Sequence, residues 1–110
     1  MSDYIQIQWT CGSIDEAREV AHKLVKERLV ACANIIPWVE SIFVWNGKID
    51  VAQESKVIFK TRADLFEKVK DKILQHAKYE ISEILQLPIS KGNPDYLRWV
   101  DESLEIRESM

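Results

Sequence analysis

The sequence predicts an α/β (α+β) fold: a ferredoxin-like split β-α-β sandwich with an added C-terminal helix. Three observations carry this expectation: an alternating strand that leads into a capped amphipathic helix, an Asn-Gly hairpin mid-chain, and a helix, strand and terminal helix after it. The order reads strand, helix, two or three strands, helix, strand, helix. At 110 residues the chain has room for one core, so residues 1–110 are expected to form a single domain.

Each element has a local reason. Tyr4 to Thr10 alternates, with Ile5, Ile7 and Trp9 on one face and Tyr4, Gln6 and Gln8 on the other, the period of a half-buried strand. Ser13 and Glu16 have capping-box spacing, in which the serine accepts from the backbone three residues on and the glutamate reaches back to the cap. Ala17, Val20, Ala21, Leu24 and Val25 then form one apolar stripe, and the helix should end near Arg28. Val30 to Ile36 reads as a short or bent strand that Pro37 stops, because proline has no ladder donor. Asn46-Gly47 supplies the positive φ angles of a tight turn, which makes Ser41 to Trp45 and Lys48 to Lys60 the arms of a long hairpin. Thr61 or Asp64 is expected to cap a second helix with Leu65, Phe66, Val69, Ile73 and His76 on its stripe. Glu83 to Ile89 is the last strand. Asn93 followed by Pro94 opens a terminal helix that buries Leu97, Val100 and Leu104.

Helices on one side of such a sheet leave its other face to water, a ligand or another chain. In the hairpin, Ile42 and Val44 point one way and Phe43 and Trp45 the other, so both sides of the ribbon want cover. A homo-oligomer is expected; the alternative is that the C-terminal helix folds back over the open face.

Composition narrows function. Fifteen Lys and Arg against eighteen Asp and Glu give a net charge of -3 with no basic stripe, which argues against a nucleic-acid partner. Strand three, around Ser55 to Phe59, lacks the glycines and most of the aromatics of an RNA-binding sheet. No apolar run approaches the ~18 residues of a membrane helix and the start lacks a leader pattern, so a cytoplasmic protein is expected, with no membrane partner. The two cysteines, Cys11 and Cys32, are expected to stay reduced, Cys11 as the more exposed thiol at a strand end and Cys32 as a small core residue. No phosphate loop, nucleophile elbow, HExxH or paired catalytic acids occur, so no enzyme activity is expected.

The run Arg28 to Ile35, the Trp45 to Ile49 turn, Glu54, Lys60-Thr61, His76, Tyr79-Glu80, Glu83-Ile84, Pro88-Ile89, Gly92-Asn93, Tyr96-Leu97 and Trp99 together resemble the CutA family over nearly the whole chain. The resemblance implies a ferredoxin-like subunit in a tight, PII-like trimeric assembly to which the hairpin contributes. It also implies a part in tolerance to divalent metals, copper especially. The copper site proposed for bacterial relatives resembles a thiol just before a Thr on strand one, with a His-His pair after the second helix. Here those positions hold Trp9 and Ala77, leaving His76 of the pair and Cys11 two residues further along the strand.

The candidate metal ligands are therefore His76, Cys11 and Glu83, with Glu80 nearby; the cofactor expectation is none obligatory, with copper or another divalent metal ion as the candidate. A second reading takes Lys60, Tyr79 and Glu80 as a ligand site for an anionic small molecule in a cleft between subunits, Lys60 receiving the charge and Tyr79 stacking or hydrogen-bonding. A purely structural trimer that presents its surface to a protein partner is the third.

Overall fold

The computed structural model of the chain describes residues 3–104. Its elements are β1 (Tyr4–Cys11), α1 (Ile14–Lys26), β2 (Cys32–Trp45), β3 (Lys48–Arg62), α2 (Phe66–His76, entered through a 3-10 turn at Ala63–Leu65), β4 (Glu83–Pro88) and α3 (Pro94–Ser103). The strands form one antiparallel sheet in the order β2-β3-β1-β4, the ferredoxin-like arrangement predicted.

One face of the sheet makes the core. Ile5, Ile7 and Trp9 of β1 and Val57 and Phe59 of β3 pack against Ala17, Val20, Ala21 and Leu24 of α1 and Val69 and Ile73 of α2, all buried. Each of the Val, Leu, Ile and Phe side chains among them contributes about 1.5–3 kcal/mol by leaving water. Helix α1 begins at Ser13, whose Oγ accepts the Glu16 N–H at 3.1 Å. The other half of the expected capping box is absent: the buried Glu16 carboxylate instead accepts the Lys78 N–H at 3.0 Å, tying the start of α1 to the loop after α2. The helix closes with Arg28 at φ 61, its N–H bonded to the Val25 carbonyl at 3.0 Å and the Leu29 N–H to the Leu24 carbonyl at 3.1 Å, a Schellman end.

Two local expectations fail for physical reasons. Pro37 does not end β2. Ile36 pairs with Lys56 and Val39 with Glu54, so Pro37 and Trp38 together oppose Ser55 in a β-bulge that absorbs the missing N–H and places Trp38 at φ 64. Neither Thr61 nor Asp64 caps α2, which has no side-chain cap; the Thr61 hydroxyl is spent inside the core, donating to the Leu29 carbonyl at 2.7 Å. Strand β4 ends at Pro88, one residue early, although the Ile89 N–H still reaches the Tyr4 carbonyl at 3.0 Å. Helix α3 is capped as expected, the Asn93 Oδ1 accepting the Asp95 N–H at 3.0 Å with Pro94 behind it.

The hairpin turn has Asn46 at φ 52 and Gly47 at φ 77, the left-handed pair a tight hairpin needs. Its ribbon projects, so the longest dimension is 49 Å and the radius of gyration 14.8 Å, against about 13 Å for a compact chain of this size. Ile42, Val44 and Ile49 on it are 68%, 69% and 77% exposed. On the open face of the sheet, α3 covers one end only. Val100 and Leu104 pack with Ala31, Tyr4 and Leu65, while Asp101 accepts from the Tyr4 hydroxyl at 2.6 Å and from Arg62 Nη1 at 2.9 Å. Ile36, Leu85 and Leu87 stay exposed, so the fold-back alternative holds for that end alone.

Candidate functional site

The ribbon half of the hairpin, the end of β1 and the loop between α2 and β4 meet around a cavity of about 530 Å³. Ile42, Phe43, Trp45 and Ile81 form its apolar wall; Thr10, Ser41 and Tyr79 add hydroxyls; Asp50, Glu54, Glu80 and Glu83 add carboxylates, and no Lys or Arg is in the lining. Antiparallel pairing sets Glu83 beside Thr10, whose hydroxyl donates to Glu83 Oε1 at 2.9 Å. Lys56 approaches the other oxygen at 3.5 Å.

Tyr79 is fixed from two sides. Its O–H donates to Glu54 Oε2 at 2.7 Å, and its ring end lies over Gly12, where a Cβ would stand 3.2 Å from the phenol oxygen. A side chain at that position would push the phenol back by a few tenths of an ångström. Desolvation first, and then the hydrogen bond to Glu54, push the phenol up to about 12. The Glu16 carboxylate on the Lys78 N–H anchors the same loop one residue earlier.

The residues singled out from sequence fall into separate places. Glu83, Glu80 and Tyr79 line the cavity. His76 is the last residue of α2, half-buried and outside the lining. Cys11, expected to be the more exposed thiol, is only 1% exposed, because it continues the inward phase of Ile5, Ile7 and Trp9. Burial first, then Glu16, push its thiol up to about 11, and the thiol donates to the Ser13 carbonyl at 3.4 Å. It is Cys32 that is half-exposed. Among the described residues, no group of three or more His, Cys, Asp or Glu is placed to hold a metal ion, so His76, Cys11 and Glu83 do not converge within one chain.

Lys60 does not join Tyr79 and Glu80. It lies roughly 14 Å along β3 from Lys56 at about 3.4 Å per residue, opposite Cys32 and Gln6 in the ladders, and its ammonium donates to Asn34 Oδ1. Thr10, Asp50 and Glu54 are site residues that sequence reasoning missed. The one signal available was a carboxylate at Glu54 in mid-strand, where acids are disfavoured unless something receives them. Of the four tryptophans, Trp9 is core, whereas Trp38, Trp45 and Trp99 are exposed in the single chain.

The sequence profile described as the CutA1 divalent ion tolerance protein matches residues 5–103. The divalent-cation tolerance protein CutA of Archaeoglobus fulgidus is 38% identical over 105 residues, covering 96% of this chain and 100% of that protein. Protein CutA of Mus musculus is 38% identical over 96 residues, 87% of this chain, and the match spans only 54% of the mouse protein. Among solved structures, CutA1 from Oryza sativa superposes with a TM-score of 0.92 at 31% identity, covering 94% of this chain and 95% of that one. The A. fulgidus structure superposes with a TM-score of 0.90 at 37% identity, covering 93% and 99%, and that protein is described as periplasmic. No helix among the described residues here is long and apolar enough to cross a membrane. With a family match running from β1 through α3 and the same fold in its solved relatives, the chain belongs to the CutA1 divalent ion tolerance family.

Proposed function

We propose that the chain works as a cytoplasmic, non-enzymatic homotrimer that binds divalent metal ions, copper among them, and so serves metal tolerance. The observation that carries this reading is the cavity beside the hairpin ribbon, walled by Asp50, Glu54, Glu80 and Glu83 with no cation in its lining. Carboxylate oxygens suit hard and borderline divalent ions, and the same wall repels an anionic ligand, which leaves the anion reading through Lys60, Tyr79 and Glu80 with less support. Glu83 and Glu80 are the donors we assign. His76, seven residues before β4 begins and joined to it by the anchored loop, is the imidazole nearest in the chain. Cys11 is the weakest of the expected ligands, since a buried thiol held up at about 11 is neutral near pH 7 and the thiolate is the binding form.

One chain offers no closed set of ligands, so assembly enters the argument. The ribbon side chains Ile42, Val44 and Ile49 and the open-face residues Ile36, Leu85 and Leu87 are exposed apolar surface that neighbouring copies would cover, bringing further donors to each cavity. Equilibrium titration of Cu(II) and Zn(II) into reduced protein, alongside Glu83→Gln and His76→Ala, tests the reading, with light scattering for the trimer mass. Saturable binding weakened about tenfold or more in Glu83→Gln is expected, as for loss of one ligand. Binding that is absent, or the same in both variants, would refute the assignment.

A further inference from the structure

Glu83, a donor assigned above, is held by a cation of its own chain. In the sheet Lys56 of β3 opposes Thr10 of β1, and Thr10 opposes Glu83 of β4, so the three stand in one row on the face away from the core helices. Directly opposed residues have Cβ atoms about 4.5–5.5 Å apart, which lets a lysine reach over a short threonine to the acid beyond. Lys56 Nζ lies 3.5 Å from Glu83 Oε2, while the Thr10 hydroxyl donates to Glu83 Oε1 at 2.9 Å. Both carboxylate oxygens are therefore engaged. Three adjacent strands of one chain set this geometry, and it needs no neighbouring copy.

The other acids of the cavity lack such a partner. Asp50 Oδ1 accepts the Val51 N–H at 2.9 Å and Glu54 Oε2 accepts the Tyr79 hydroxyl at 2.7 Å. Among the described residues, Asp50, Glu54 and Glu80 have no cation within ion-pair distance. Glu54 points most directly to a ligand. It is 9% exposed and lines the cavity, and among the described residues its Oε1 receives no hydrogen bond from a side chain. A buried carboxylate oxygen without a donor is costly until a cation or a donor reaches it. The cavity therefore has room and need for positive charge, and the one ammonium at its edge is engaged by Glu83.

We infer that Lys56 is a built-in competitor for the divalent ion of this cavity: its ammonium occupies Glu83 in the empty site, and an entering metal ion must displace it. The inference rests on the reading of Glu83 as a metal donor. The exchange breaks no covalent bond. The ammonium swings away with its proton, Thr10 keeps hold of Oε1 and so keeps the carboxylate aimed, and the divalent ion takes Oε2. While the site is empty, Lys56 offsets the mutual repulsion of the clustered acids. Two cations that compete for one carboxylate weaken each other by the same factor, so Lys56 raises the metal concentration at which the cavity fills. The two side chains are 26% and 42% exposed, and a pair that open to water sets the factor at about three- to fivefold.

The test is calorimetric titration of the redox-silent Zn(II) into the intact, reduced protein at one ionic strength. Lys56→Met should tighten binding about three- to fivefold, and Lys56→Gln repeats the measurement should Lys56→Met fold poorly. Lys56→Arg keeps a cation at Glu83 and should bind no more tightly than the parent. Lys68→Met removes the same charge from the exposed side of α2, across the sheet, and should change binding less than about twofold, which separates a contact at Glu83 from a general gain in negative charge. In a Glu83→Gln background the effect of Lys56→Met should vanish. A parent that binds Zn(II) while Lys56→Met binds it equally or more weakly, or an equal gain from Lys68→Met, would overturn the inference and leave the cavity reading standing. A parent that shows no saturable binding would overturn the cavity reading, and this inference with it.

Discussion

Replacing Tyr79 with phenylalanine removes one oxygen and tests how the cavity loop is held. That oxygen donates to Glu54 Oε2 at 2.7 Å, and Glu54 is buried, so its carboxylate loses a donor that water cannot easily replace. A hydrogen bond to a charged acceptor contributes about 1.5–3 kcal/mol. The Tyr79 ring is 40% exposed, and screening lowers the expectation to about 1–2 kcal/mol. With a urea slope of about 1–3 kcal/mol/M, the midpoint of Tyr79→Phe should fall by roughly 0.5–1 M. The comparison is made at fixed protein concentration, since any self-association would contribute to the transition. The pH dependence supplies a second arm. Folding raises the phenol from 10.0 to about 12, so its contribution is fully present below about pH 10 and is lost as pH rises through 12. Phenylalanine has nothing to ionise, so the gap between the two proteins should close across that window. A variant as stable as the parent at neutral pH, or a gap that persists beyond pH 12, would show that the hydroxyl does not hold the loop.

Other perturbations read other parts of the structure. Thr61→Val keeps the shape of a fully buried side chain but leaves the Leu29 carbonyl without its 2.7 Å donor, and thermal unfolding should show a loss of about 1–2 kcal/mol; an unchanged midpoint would count against that bond. Asp101→Asn removes the charge that gathers Arg62 and the Tyr4 hydroxyl onto α3. Amide exchange should accelerate in α3 ahead of the sheet, consistent with a loss of about 1–2 kcal/mol, and uniform exchange would refute a local docking role. Ile42→Lys alters a ribbon residue 68% exposed in the single chain, so the subunit fold should change by no more than about 0.5 kcal/mol while the mass in light scattering falls to one protomer; an intact trimer would refute burial of the ribbon between copies.

Much of this architecture is legible because it is local. The alternation of β1, the Ser13 and Asn93 caps and the positive φ angles at Asn46 and Gly47 each follow from a few neighbouring residues. What sequence reasoning missed depends on register. Pro37 looks like a stop until a partner strand with a bulge shows that its missing N–H is never needed. Cys11 could have been placed inside by counting in twos from Ile5, whereas the ladder partner of Cys32, Lys60 of β3, has no sequence signal. The cavity is the least legible feature of all. Thr10, Asp50, Glu54 and Glu83 come from β1, β3 and β4, and only pairing and the bend of the hairpin bring them to one place.

The bulge at Pro37 and Trp38 bears on how safely such a chain can be made. Strand β2 is an outer strand of the sheet and runs 14 residues, with an apolar ribbon at its far end. In a newly made chain so long a margin is the kind on which stray strands add and precipitates grow. Pro37 removes one donor from that margin, and the extra residue beside it throws the two halves out of step. A stray strand therefore meets two short runs rather than one continuous template, which leaves the margin too broken to nucleate a fibre.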